Sequence, residues 1–220
     1  MRPGVLALAL LAWIPTLAVA QPGPPGPYVV DVRGTTVGLP NDSSFFPAAP
    51  ADTLIPSRAF GVDVGGHVYP LRLGIARIGV GVNFVRVWSS ASTPPTAVTI
   101  GIPADAFVPP PDIRGAFMAL APQLSFNFGR AAGWSHLSGG VGLAEIEMRA
   151  LYTGALEAVR TTGQVRAINV GGGARWFLRS HVALGFDVRF HRLAATSASA
   201  TVSATPATTV LSASVGLSVR

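Results

Sequence analysis

The sequence predicts an all-β fold: an eight-stranded antiparallel transmembrane β-barrel with short periplasmic turns and long extracellular loops. Three observations point there. The 220 residues are 49% hydrophobic and only 12% charged, with a mean hydropathy of +0.46, where a soluble domain carries roughly 25% charge. Yet past the N-terminus no run of about 18 apolar residues is present to make a spanning helix. Apolar residues recur instead at every second position, and the connections alternate long and short, the asymmetry of a barrel whose two rims face different compartments. The absence of cysteine excludes a disulfide framework and a thiolate zinc site.

The N-terminus reads as an export signal. Residues 1–20 carry Arg2, an apolar stretch from Val5 to Ile14 and a small-residue end, Ala18-Val19-Ala20, that fits a cleavage site. Pro15 would break a core helix there. The mature chain is expected to begin at Gln21. Residues 21–27, with Pro22, Pro24, Pro25 and Pro27, form an extended lead-in to a barrel over 28–220.

Eight alternating segments follow, at about 28–38, 58–69, 73–88, 115–128, 137–150, 164–178, 181–192 and 207–219. The clearest places Val182, Leu184, Phe186, Val188 and Phe190 on one face and Ala183, Gly185, Asp187, Arg189 and His191 on the other. Similarly, Ile78, Val80, Val82, Phe84 and Trp88 oppose Arg77, Gly79, Gly81 and Asn83. Each segment is long enough for a tilted strand to cross a bilayer, which takes about 9–11 residues. The short connections are 70–72, 129–136 and 179–180. The long ones are 39–57, 89–114, 151–163 and 193–206. A soluble sandwich alternates too, but has no reason to space its loops this way.

One hairpin carries a family resemblance. Asn169-Val-Gly-Gly-Gly-Ala-Arg-Trp-Phe-Leu-Arg-Ser-His-Val-Ala-Leu-Gly-Phe-Asp-Val-Arg-Phe190 resembles the penultimate hairpin of the outer membrane protein β-barrel domain group, related to the OmpA transmembrane region and OmpX. The shared features are a Gly-rich strand, a short turn and an Asp-x-Arg strand. The resemblance implies a cell outer membrane location, insertion by the outer-membrane assembly machinery, and contact with outer-membrane lipid. The chain departs from the pattern at its end, Leu217-Ser218-Val219-Arg220, where such barrels usually carry a terminal aromatic.

All 16 basic residues are Arg. The alternation assigns Asp31, Arg33, Asp63, Arg77, Glu145, Glu147, Arg149, Arg175, Asp187 and Arg189 to the lumen, five of each sign. Charges shielded from water need partners, and the Arg fork matches a carboxylate. An eight-stranded barrel is only wide enough for side chains to fill, so the expectation is a plugged, charge-paired core. Arg58, Arg86, Arg114, Arg160, Arg166 and Arg192 fall at extracellular strand ends or loops, and Arg72, Arg130, Arg179 and Arg220 on the periplasmic side. Two readings of the outer set stand: contact with lipopolysaccharide phosphates, for which Arg58, Arg86, Arg114, Arg166 and Arg192 are the candidates, or snorkelling into water. Trp88, Trp176 and Tyr152 suit aromatic girdles, with core packing the alternative for each. The arginines form no basic stripe, so nucleic acid is not an expected partner.

Signals for chemistry are weak. His67, His136, His181 and His191 have no metal-ligand spacing, and no cofactor is expected. Some eight-stranded outer-membrane barrels modify lipid A, which needs a serine bonded to a histidine with an acid behind it. His136-Leu137-Ser138 is the sole His-x-Ser here, but the spacing puts it at a short turn, away from its nearest in-phase acid, Glu145. Gly171-Gly172-Gly173 lies inside a strand with no helix after it, which excludes a phosphate loop; it admits bulky neighbours or a bend. The loop 89–114, with Pro94-Pro95 and Pro109-Pro110-Pro111, suits recognition or rim cover, and 194–209 reads as a flexible last loop. The expectation is a non-enzymatic barrel with a structural or surface-interaction role. The alternatives are a narrow channel or small-solute transporter, and a soluble periplasmic lipocalin-like binding barrel.

Overall fold

A computed structural model describes residues 26–46, 53–94, 110–130, 132–152, 157–199, 202 and 204–220. The signal segment 1–20 lies outside the described residues, as do residues 21–25 of the lead-in and the centre of the loop 89–114. The described residues form nine strands: β1 (Tyr28–Gly38), β2 (Arg58–Leu73), β3 (Ala76–Ala91), β4 (Asp112–Arg130), β5 (Gly133–Leu151), β6 (Glu157–Thr161), β7 (Val165–Phe177), β8 (Val182–Leu193) and β9 (Thr208–Val219). Every pairing between them is antiparallel, and β9 returns to β1. Arg33, for example, faces Asp63 of β2 on one side and Gly216 of β9 on the other. Closure pairs the backbone without leaving an edge, which a bilayer demands.

The barrel has eight staves because β6 and β7 share one. β5 pairs with β7 from Gly133 to Ala144 and with β6 from Glu147 to Leu151. Between them residues 162–164 oppose only 145 and 146, a bulge in which Gly163 adopts φ +60°. The bulge interrupts the period of two, which is why the alternation starts this stave at 164 when it begins at Glu157. The first turn also moves. The sequence places it on Pro70, but Pro70 lies within β2 at an irregularity between Val68 and Leu71, where a missing N–H breaks no ladder bond. The chain turns at 74–75, where Gly74 has φ +60°.

Burial alternates along the staves in the sense opposite to a soluble protein. On β1, Val29, Asp31, Arg33, Thr35 and Val37 are buried inside, while Val30 and Val32 face out. Val170 and Val215 are each 59% exposed, whereas Asp31 is 0% exposed. A lipocalin-like barrel needs the reverse partition, apolar within and polar without, so the soluble alternative is overturned. No helix among the described residues is long and apolar enough to cross a membrane; crossing falls to the strands.

β4 and β5 run 19 residues each, well beyond the span a bilayer needs. Their outer ends therefore stand above the membrane, flanked by the end of β3 on one side and by β6 on the other.

Candidate functional site: the barrel interior and its outer rim

Inward-facing side chains stack in three layers. At the periplasmic end Val29, Tyr69, Trp134, Phe177 and Ala183 form an apolar cluster, with the Arg220 guanidinium over the rings of Phe177 and Trp134 at 4.2 and 5.1 Å. At the extracellular end a larger cluster gathers Val85, Val87, Ile113, Phe117, Ile146, Met148, Leu193 and their neighbours. The polar layer lies between them.

That middle layer holds three arginines and three aspartates. Arg175 grips Asp31 bidentately, Nε to Oδ1 at 2.8 Å and Nη2 to Oδ2 at 2.7 Å, and Ser218 also donates to Asp31. Arg33 lies among Asp31, Asp63 and Asp187, at 3.3, 3.5 and 3.8 Å. Arg189 donates to Asp187, to Ser138 Oγ at 2.7 Å and to Asn169 Oδ1 at 3.1 Å. Amides complete the shell: Asn83 donates to Asp63 at 2.6 Å, and Gln123 to Asn169 at 2.8 Å. Isolated charges here would be costly; paired and hydrogen-bonded, they persist. Glycine makes the room. A Cβ on Gly171 would stand 2.9 Å from the Cβ of Arg189.

Six of the ten residues assigned to the lumen by alternation therefore meet: Asp31, Arg33, Asp63, Arg175, Asp187 and Arg189. Arg77 keeps the inward phase but sits near the periplasmic end opposite Asn127, without an ion pair among the described residues. Glu145, Glu147 and Arg149 do not face the lumen. Leu137, Val141 and Leu143 of β5 point to lipid, and the period of two carries the same outward face on to Glu145, Glu147 and Arg149, while Ile146 and Met148 turn inward. Above the bilayer the outer face meets water, so polar residues there no longer mark the lumen. Arg149 Nε donates to Glu147 at 2.6 Å and Nη1 to Glu157 at 2.9 Å, and Thr161 donates to Glu145 at 2.9 Å.

Two features were missed by sequence reasoning. The first is a cap from the loop after β1. A short 3-10 turn, Ser43–Phe45, buries Phe45 and Phe46 in the outer apolar cluster. Asp42 Oδ1 accepts from the amide and hydroxyl of Ser44 at 2.8 and 2.6 Å, and these bonds hold its carboxyl below the ordinary carboxylate range. Arg160 donates to the carbonyl of Ser44 at 3.0 Å, so it pins the cap rather than belonging to a free outer set. An adjacent Phe pair in a polar loop was the available signal. The second is Gln123, Asn169 and His136: the two amides share the inward phase of their strands, whereas His136 falls in a segment the sequence reads as a turn and the structure places in β5. Tyr152 packs on the outer apolar cluster, the second of the two readings its sequence position allows.

Of the six arginines that the alternation assigns to the outer rim, Arg58, Arg114, Arg166 and Arg192 are exposed and Arg86 is half-buried over the ring of Trp88 at 5.6 Å. Arg192 also donates to Thr209 at 3.1 Å. Among the described residues His136, Ser138 and Asp187 do not line up as a serine–histidine–acid relay. His136 pairs with Asp187 at 2.9 Å, but Ser138 Oγ is held by Arg189 and not by His136. Among the described residues no group of three His, Asp or Glu is arranged to hold a metal.

This closed antiparallel barrel, apolar outside with a charge-paired layer within, has the fold of small eight-stranded outer-membrane β-barrels. Its fold is similar to that of Ail, the attachment invasion locus protein of Yersinia pestis, in complex with the heparin analogue sucrose octasulfate (8% identity, TM-score 0.53, covering 87% of this chain and 96% of that one). Neisserial surface protein A (NspA; 11%, 0.48, 88% and 97%) and the N-terminal β-barrel domain of Pseudomonas aeruginosa OprF (10%, 0.37, 89% and 98%) are further matches. At these identities the likeness is one of fold. No protein-family model matches the chain, and no curated protein matches it in sequence.

Proposed function

We propose that this outer-membrane barrel is closed to solute, catalyses no reaction, and serves a structural and surface-interaction role, held to the outer leaflet by contacts between its outer arginines and lipopolysaccharide phosphates. The observation that carries this reading is the stacking of the interior: a neutral layer of three Arg and three Asp between two apolar clusters, with Phe45 and Phe46 over the outer one. Each layer spans a cross-section that side chains of an eight-stranded barrel fill. The full-length protein, refolded into planar bilayers, is expected to stay silent. Stepwise conductance that changes in Asp31→Asn or Arg175→Gln would replace this reading with a narrow channel. For the phosphate contacts, Arg58, Arg86, Arg114, Arg166 and Arg192 supply the donors, and bidentate Arg–phosphate pairing the strength. Unchanged lipid A profiles in cells carrying Ser138→Ala are the expected mark of a barrel without hydrolase activity.

A further inference from the structure

On the outer wall of β3, β4 and β5 a groove runs along the strands just above the exposed apolar belt. Ala116 is its floor, directly between Trp88 of β3 and Glu147 of β5. At the outer end Arg114 and Arg149 stand opposite each other on neighbouring strands, a like-charge pairing that destabilises a sheet when nothing lies between the two. Glu147 and Glu157 hold Arg149. Among the described residues no carboxylate pairs with Arg114 or with Arg86, which closes the groove at its membrane end. Arg114 is level with Ser90, four residues beyond Arg86, so the two cationic ends are about 13 Å apart at the strand rise. Trp88, 53% exposed, lines the space between them.

A ligand that suits this groove has an anionic group at each end and a flat, partly apolar middle. We propose that the groove binds the headgroup of an outer-leaflet glycolipid: a disaccharide carrying a phosphate at each end, one phosphate on Arg86, the other between Arg114 and Arg149, and the sugar rings over Ala116 against the Trp88 face. The source is the lipid rather than a soluble sugar, because the groove opens sideways from the wall beside Leu120 and Leu143, which are exposed to acyl chains. Trp88 stands at the height where indole rings mark a membrane boundary. The inference rests on the outer-leaflet reading above and gives it a location.

The test uses full-length protein refolded in detergent, each variant first shown to be folded by heat-modifiable migration. It is titrated with bisphosphorylated lipid A and with the same glycolipid stripped of both phosphates. The wild type is expected to bind the phosphorylated form more tightly by about tenfold or more. Arg86→Gln and Arg114→Gln each remove most of that preference, and Trp88→Ala weakens both forms alike. Arg179→Gln, exposed at the periplasmic end, leaves the preference intact. Equal affinity for the two glycolipids overturns the proposal, as does a preference that survives in the Arg86→Gln/Arg114→Gln double variant. Equal binding of a bisphosphorylated disaccharide without acyl chains overturns the assignment to lipid. The closed-barrel reading fails on separate evidence: conductance, or release of the folded protein without detergent.

Discussion

Arg175 clasps Asp31 with two parallel hydrogen bonds, at 2.8 and 2.7 Å, across a chain separation of 144 residues. Both side chains are almost completely buried. Removing one partner leaves a buried charge without its counter-ion, which costs about 3–5 kcal/mol. Arg175→Met is therefore expected to lower stability in urea titrations by about that much. Asp31→Leu combined with Arg175→Met should recover part of the loss, and a double variant as unstable as the sum of the two singles would argue that the pair is not coupled.

The outward phase of β5 has a direct consequence. Val141→Arg puts a guanidinium against acyl chains and is expected to cost about 2–4 kcal/mol if its site lies near mid-membrane. Glu147→Arg, on the same face but above the bilayer, should cost far less in the same refolding equilibrium. Ile146→Asp should be severe, because Ile146 lies in the outer apolar cluster. If Glu147→Arg proved the severe one, the assigned phase would be wrong.

The cap over the extracellular mouth makes its own prediction. Truncating a fully buried Phe costs about 3–5 kcal/mol, so Phe45→Ala and Phe46→Ala should each lower the melting temperature clearly. Conductance should nonetheless stay silent in both, since the charged layer lies beneath. A channel opened by either substitution would show that the cap alone closes the lumen.

The Asp42–Ser44 turn of that cap is expected to respond to acid. The hydrogen bonds from Ser44 lower the pKa of Asp42 below 3.8. A depressed carboxylate pKa means that the cap bond contributes fully above 3.8 and is lost as pH falls through the folded value. The backbone amide signal of Ser44 should therefore titrate with a midpoint below 3.8, and Asp42→Asn should abolish the transition. A midpoint above that value would dismiss the role of these bonds.

The strand rhythm was legible because lipid imposes one rule on every stave: apolar residues on alternate positions, over the height of the bilayer. Strands β1, β8 and β9 lie within a residue of where alternation puts them. The rule fails where its cause stops. Glu145, Glu147 and Arg149 stand above the lipid, so their polarity carried no information about inside and outside. The bulge at 162–164 hid the first third of its stave by adding a residue to the period. Pro70 looked like a turn because its effect on the ladder depends on which side of the strand needs a donor. In the interior, Asp31, Arg33, Asp63, Arg175, Asp187 and Arg189 could be assigned to the lumen, but not to one another. Which Arg meets which Asp depends on the stagger of the staves, a quantity no local pattern encodes. Phe45 and Phe46 left only an adjacent aromatic pair as a sign, because a loop folding back on its own barrel leaves no periodic trace.

The charged layer also says something about the order of assembly. Asp31 and Arg33 sit on the first strand, and Arg175, Asp187 and Arg189 on the seventh and eighth. While the sheet is still open, Arg175 and Asp31 lack each other and Arg33 lacks Asp187, and only the seam between β1 and β9 brings the two sets together. The bidentate Arg175–Asp31 pair is thus withheld until the last pairing is made. The layer acts as a latch: a half-inserted sheet has little to hold it, and a closed one has little incentive to reopen.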